Sequence, residues 1–154
     1  MSDVTLDLEF VRRNTIDTIK GTRIRKSTVH GFGLFTVRCY KKGEILCILD
    51  GQILSIDKYN SLQKNISNHI ENYKDYFFME CNYLDIHTCL TRAYRTKYSY
   101  INHSKKPNVY LAPYPLRLIV LDDLEADQEL LLDYTKEKLS DAYMSKKDKE
   151  YLNE

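Results

Sequence analysis

Strand signals dominate the first third of the chain. Arg23 to Val29 leads into His30-Gly31-Phe32-Gly33, and Leu34-Phe35-Thr36-Val37 reads as a second short strand. Lys41-Lys42-Gly43-Glu44 predicts a turn, and the mostly apolar run Glu44 to Asp50 suits a buried strand. Gly51 interrupts it, and Gln52-Ile53-Leu54 continues extended. Between Ser55 and Tyr73 the pattern changes. This stretch lacks Gly and Pro and places Ile56, Tyr59, Leu62, Ile66 and Ile70 three or four residues apart, which predicts an amphipathic helical insert with Ser55 as N-cap. Tyr76 to Glu80 and Tyr83 to His87 predict a hairpin turning near Cys81-Asn82. Val109 to Ala112 and Leu116 to Leu121 predict two strands about Pro113-Tyr114-Pro115, and Leu130-Leu131-Leu132 a short one. Thr91 to Tyr100 is basic and aromatic, without a decisive period. Lys136 to Glu154 is polar, with Leu139 and Tyr143 at helical spacing. Many short strands with little helix predict a mainly β domain.

Composition narrows the class. The 154 residues suit one domain, and 23 Lys and Arg against 22 Asp and Glu leave a net charge of +1. That balance argues against a nucleic-acid coat or a polybasic membrane binder. No run approaches 18 apolar residues, and Met1 to Asn14 mixes charges with single apolar residues, unlike a signal peptide. The expectation is a soluble, intracellular protein. Cys39, Cys47, Cys81 and Cys89 form no Cys-x-x-Cys pair and lie among apolar or aromatic neighbours, so they are expected to be reduced core residues, with no structural zinc.

Three segments carry candidate chemistry. In Lys26 to Phe35, Gly31 and Gly33 flank Phe32, which lets a ligand approach the backbone, although a hairpin turn explains such a pair equally well. Asn102-His103-Ser104, followed by Pro107-Asn108, offers a dense set of donors and acceptors, or a capped polar loop. A Ser-His catalytic pair is disfavoured there, because neighbours in a strand face opposite sides. Glu129-Leu130-Leu131-Leu132-Asp133-Tyr134 is an apolar strand closed by a tyrosine, a residue that is usually a core or interface ring.

Taken in this order, the three segments resemble the motifs of SET-domain protein-lysine methyltransferases. Lys42-Gly43-Glu44, Leu84-Asp85 and Asp123-Leu124 add to the likeness, which covers about residues 21–134. The resemblance implies small curved β-sheets with a C-terminal pseudoknot, a SET domain over 21–135 with its helical insert, an N-terminal extension over 1–20, and a C-terminal helical segment over 136–154 near the substrate channel. It further implies that His30, Gly31, Phe32 and Gly33 line a pocket for S-adenosyl-L-methionine. Asn102 would hold the methionine part, the His103 backbone would meet the adenine, and Tyr73 would make an aromatic contact. Tyr134 would be the active-site tyrosine, orienting and polarising without acting as a strong base. Leu49 and Leu132 would line the substrate channel. No metal is implied. The products would be S-adenosyl-L-homocysteine and a methylated lysine on a protein, a histone tail among the candidates.

Three positions depart from the family pattern. Lys105 stands where many relatives carry a zinc-binding Cys, and no Cys follows Cys89. Leu132 replaces a common Phe or Tyr, which leans towards more than one methyl added. Leu49 replaces a common Tyr. The last two keep open a second reading, a SET-fold binding module that recruits a partner without turnover. A third, disfavoured reading is a nucleic-acid surface built from Arg92, Tyr94, Arg95, Lys97, Tyr98 and Tyr100.

Overall fold

The computed structural model describes residues 19–69, 79–93 and 95–137. Among the described residues, ten short strands form four small sheets, as the mainly β reading expects. Strands β1 (Thr22–Lys26) and β2 (Phe32–Thr36) pair antiparallel with Ile24 opposite Leu34. β1 stops at Lys26, three residues before the predicted Val29. The Ser27 hydroxyl accepts from the Val29 and His30 N–H groups (2.9 and 3.2 Å) and so takes the donors a strand would use.

The apolar run after Gly43 gives β3 (Ile45–Ile48), which pairs with β9 (Arg117–Val120), itself paired with β8 (Val109–Ala112). β3 is not the buried strand its composition predicts. It is an edge strand with a register shift between Ile45 and Cys47, and Ile45 and Ile48 are 55% and 60% exposed.

In the third sheet β6 (Thr88–Arg92) lies between β4 (Gln52–Ser55) and β5 (Glu80–Tyr83). The hairpin therefore turns at Leu84–His87, not at Cys81-Asn82. The Asp85 carboxylate accepts from the His87 N–H (2.7 Å) and Leu84 N–H donates to Thr88 O (2.9 Å), which closes the turn there. Cys81 and Asn82 are strand residues, and Asn82 is buried.

Helix α1 (Ile56–Ser67) begins as predicted, with the Ser55 hydroxyl accepting from the Lys58 N–H (3.1 Å). It ends at Ser67 with Asn68 as C-cap, short of Tyr73. Its buried Tyr59 donates to Met79 O (2.8 Å), and Gln63 accepts from Met79 N–H (3.1 Å), so the helix pins the chain entering β5. Tyr73 and all but the first two residues of the predicted C-terminal helix lie outside the described residues.

The principal core gathers Ile19, Leu34, Ile101, Val109, Leu118 and Leu130, all buried. Cys89 is buried and Cys47 and Cys81 half-buried, and burial pushes the last two thiols up to about 11. Cys39 departs from the core expectation: it is exposed in the loop before Tyr40, its sulfur 3.3 Å from Glu125 Oε2.

Thr91 to Tyr100 contains the end of β6 and a 3-10 turn (Lys97–Tyr100), tied to the sheet by one buried ion pair. Glu80 accepts from Arg92 Nε, from the Thr96 N–H (2.8 Å) and hydroxyl (2.6 Å), and from the Ser99 hydroxyl. The two charged side chains are only 4% and 10% exposed. Burial works against the Glu80 charge, but Arg92 and the Ser99 and Thr96 donors outweigh it and hold the carboxyl below its usual 4.5. Arg92→Met should cost about 3–5 kcal/mol in denaturant unfolding, because it strands a buried carboxylate. A folded-state pKa below the unfolded one stabilises above pH 4.5 and is lost as pH falls through the folded value. Wild-type melting temperature should therefore fall below about pH 4.5, and Glu80→Gln should flatten that limb.

Candidate active site

The site forms where three distant segments meet: the loop between β1 and β2, strand β7 (Asn102–His103), and the chain from Gln128 to Tyr134. β10 (Leu131–Leu132) pairs in parallel with β7, Leu131 opposite Asn102 and Leu132 opposite His103. Asn108 fastens the same segment: its side chain donates to Glu129 O (2.8 Å) and accepts from Leu131 N–H (2.8 Å). On the other side Leu130 N–H donates to Leu34 O (2.8 Å) in β2. The segment thus runs between β2 and the Asn102–Asn108 loop.

Asn102 reaches into the glycine loop. Its Nδ2 donates towards His30 O (3.0 Å), Phe32 O (3.1 Å) and Glu129 Oε1 (2.8 Å). Gly31 has φ +47°, a conformation that favours glycine, and a β-carbon there would meet nothing within 4 Å, so its outer face is open. Gly33 is glycine for another reason. A β-carbon would run into the Glu129 carboxylate. His30 is exposed and the Phe32 side chain lies at the rim, the residue 61% exposed.

His103 is buried, and its Nδ1 accepts from the Tyr134 N–H (3.0 Å). That nitrogen therefore carries no proton, and its 3.9 Å approach to Asp133 Oδ1 is not an ion pair. The Tyr134 hydroxyl donates to Ile101 O, which fixes the phenol beside β7, and its ring lies 5.3 Å from that of His103. Leu132 is buried in the principal core, against which Tyr134 packs. Leu49 is buried just beyond β3, with its N–H donating to Leu116 O (2.9 Å). Lys105 donates to Thr135 Oγ1 (2.6 Å) and reaches Asp133 Oδ1 (3.5 Å). Burial works against the Asp133 charge, but the Thr135 hydroxyl and N–H, with Lys105, hold its carboxyl below the usual 3.8.

Residue-type reasoning did not single out Ser27, whose hydroxyl donates to Glu129 Oε1 and Oε2 (2.8 and 2.9 Å), nor did it assign Glu129 a role in the site. The signal available was an acidic side chain directly before an apolar strand. Glu137 was also missed. Tyr98 donates to it (2.8 Å), and burial pushes its carboxyl up to about 7 against the pull of Tyr98 and Arg92. Of the residues in the third reading, Arg95 is exposed beside the Tyr100 ring, Tyr94 lies outside the described residues, and the others are engaged elsewhere. Arg92 is largely buried, Lys97 donates to Thr22 O (2.7 Å), and Tyr98 and Tyr100 pack against the core. Among the described residues, no group of three or more His, Cys, Asp or Glu is placed to hold a metal ion, and no helix is long and apolar enough to cross a membrane.

Comparison with known proteins agrees with this topology. The SET domain family model matches residues 31–135, more than half of the chain. The chain belongs to the SET-domain family, a family of lysine methyltransferases. It is similar to the histone-lysine N-methyltransferase MEDEA of Arabidopsis thaliana, 30% identical over 125 residues, covering 77% of this chain and 17% of that protein. The chain thus spans about a sixth of the length of this relative.

The Glu137 carboxyl sets a pH dependence opposite in sign to that of Glu80. A folded-state pKa raised to about 7 stabilises below the usual 4.5, and that contribution is lost as pH rises through 7. Glu137→Gln keeps an acceptor for Tyr98 but has no proton to lose. Its melting temperature should be flatter than wild type between about pH 4.5 and 7.

Proposed function

We propose that the protein is a protein-lysine N-methyltransferase that takes its methyl group from S-adenosyl-L-methionine. The observation that carries this reading is the Asn102 amide. Its nitrogen is held among three oxygens, while no group among the described residues donates to its Oδ1. An acceptor kept open beside the uncrowded face of Gly31 fits the ammonium end of the cofactor. His30, Gly31, Phe32 and Gly33 would hold it through the loop, Asn102 through its amide, and His103 through its backbone; Tyr73 is a further candidate contact.

The cofactor supplies an electrophilic methyl on a sulfonium. The substrate amine must arrive neutral, although a free lysine has a pKa near 10.4. An apolar channel edged by Leu49 and Leu132 disfavours the ammonium and lowers that value, as would a neighbouring positive charge. Held there, the cofactor would give its sulfonium methyl to the amine lone pair and leave as S-adenosyl-L-homocysteine, the S–C electron pair going to sulfur. The methylated ammonium afterwards gives its proton to solvent. Tyr134 contributes position. Its hydroxyl proton is engaged by Ile101 O, so the oxygen lone pairs remain for weak C–H···O contacts with the moving methyl. Holding both reactants in line can supply about 7–11 kcal/mol of the barrier. The substrate is a protein lysine, with histone tails the first candidates, since the similar plant protein is a histone-lysine N-methyltransferase. With no phenol at Leu49 or Leu132 to bond the amine, more than one methyl can be added.

Incubation with methyl-labelled S-adenosyl-L-methionine, mixed histones and cell extract, beside a Tyr134→Phe variant, tests this. Labelled protein bands are expected with wild type, and at least about tenfold less with the variant, a loss of about 1.4 kcal/mol of transition-state stabilisation. Cofactor binding without label on any protein would instead favour the partner-recruiting module.

A further inference from the structure

Glu129 sits at the junction of the three motif segments, and its bonds have a direction. The end of the Asn102 amide that faces the loop meets His30 O, Phe32 O and Glu129 Oε1, all acceptors. Only the NH2 end of the amide can face three oxygens, so the carbonyl end faces away. Two backbone carbonyls alone would bias this choice. The carboxylate adds a charge-assisted bond, roughly twice as strong as a neutral one.

Glu129 is itself held. Ser27 Oγ donates to it (2.8 and 2.9 Å) while accepting from Val29 and His30 N–H. Gly33 leaves the volume that its carboxylate fills. The chain of bonds thus runs from the loop backbone through Ser27 and Glu129 to Asn102.

We propose that Glu129 is a positioning residue that orients the Asn102 amide, oxygen outward. The His30 and Phe32 carbonyls and Asn102 Oδ1 then present acceptors only, a surface selective for a primary ammonium. Resting on the cofactor reading above, this makes Glu129 the residue by which the site distinguishes the amino-acid end of S-adenosyl compounds from nucleosides that lack it. A neutral amide at 129 can turn its own NH2 towards Asn102, which then turns its nitrogen outward and repels the ammonium.

Calorimetric titration of the full chain with S-adenosyl-L-homocysteine and with 5′-methylthioadenosine, which lacks the amino-acid part, tests this. Glu129→Gln should weaken S-adenosyl-L-homocysteine at least about tenfold and leave methylthioadenosine within about twofold. Glu129→Gln combined with Asn102→Ala should bind no worse than Asn102→Ala alone, because the two residues act on one interaction. In nitrogen-15 spectra of the ligand-free protein, the Asn102 side-chain amide should shift on Glu129→Gln. Unchanged S-adenosyl-L-homocysteine affinity in Glu129→Gln, or equal weakening of both nucleosides, would overturn the proposal. If wild type bound neither nucleoside, the cofactor reading would fall. The amide signal would then decide Glu129 alone, a shift sustaining the positioning role and no shift overturning it.

Discussion

The segment from Gln128 to Asp133 has both of its backbone edges occupied, and the rest of the site depends on that. Towards β2, Thr36 N–H donates to Gln128 O (2.9 Å) and Leu130 N–H to Leu34 O (2.8 Å). Towards the Asn102–Asn108 loop, Ser104 and Asn108 N–H donate to Leu132 O and Leu131 O, both at 3.0 Å. A two-residue strand has too few bonds to persist alone. Here it is inserted between two partners, with Leu130 and Leu132 buried. Phe32, Gly33, Asn102, His103, Glu129 and Leu132 all stand on this segment or on one of its partners.

Charge is handled in opposite ways on the two sides of the 3-10 turn at Lys97–Tyr100. Glu80 is kept ionised by Arg92 and by hydroxyl donors, and it fixes the turn to the third sheet. Glu137, just after Tyr134, receives one hydrogen bond from Tyr98, too little to offset its burial. The first carboxyl resists protonation and the second resists ionisation. The Glu137 contribution to stability is therefore full below the usual 4.5 and lost as pH rises to about 7, while that of Glu80 is full above 4.5 and lost in acid.

The departures from the family pattern have local structural accounts of unequal depth. Lys105, in the place of a zinc-binding Cys, bonds Thr135 and reaches Asp133, so a charged side chain ties down the chain on either side of Tyr134. Leu132 is packed into the principal core, where a phenol would need a partner for its hydroxyl. Leu49 is buried, and the structure offers no further reason for it.

Local chemistry in the chain was enough for the mainly β architecture, the Ser55 cap, the Lys41–Glu44 turn and the order of the three motifs. Each of these rests on neighbours within a few residues: a hydroxyl reaching an N–H three positions on, a glycine at a turn, an apolar run between breakers. Contacts over long sequence separations decided the rest. β3 reads as buried but lies at a sheet edge, because a run of apolar residues does not say how many sheets will cover it. The hairpin at Leu84–His87 was misplaced because both Cys81-Asn82 and the Asp85 turn punctuate the chain, and only the pairing with β6 chooses between them. The roles of Ser27 and Glu129 were hidden for the same reason. They lie 102 residues apart, and the bond between them exists only once the last strand is inserted beneath the glycine loop.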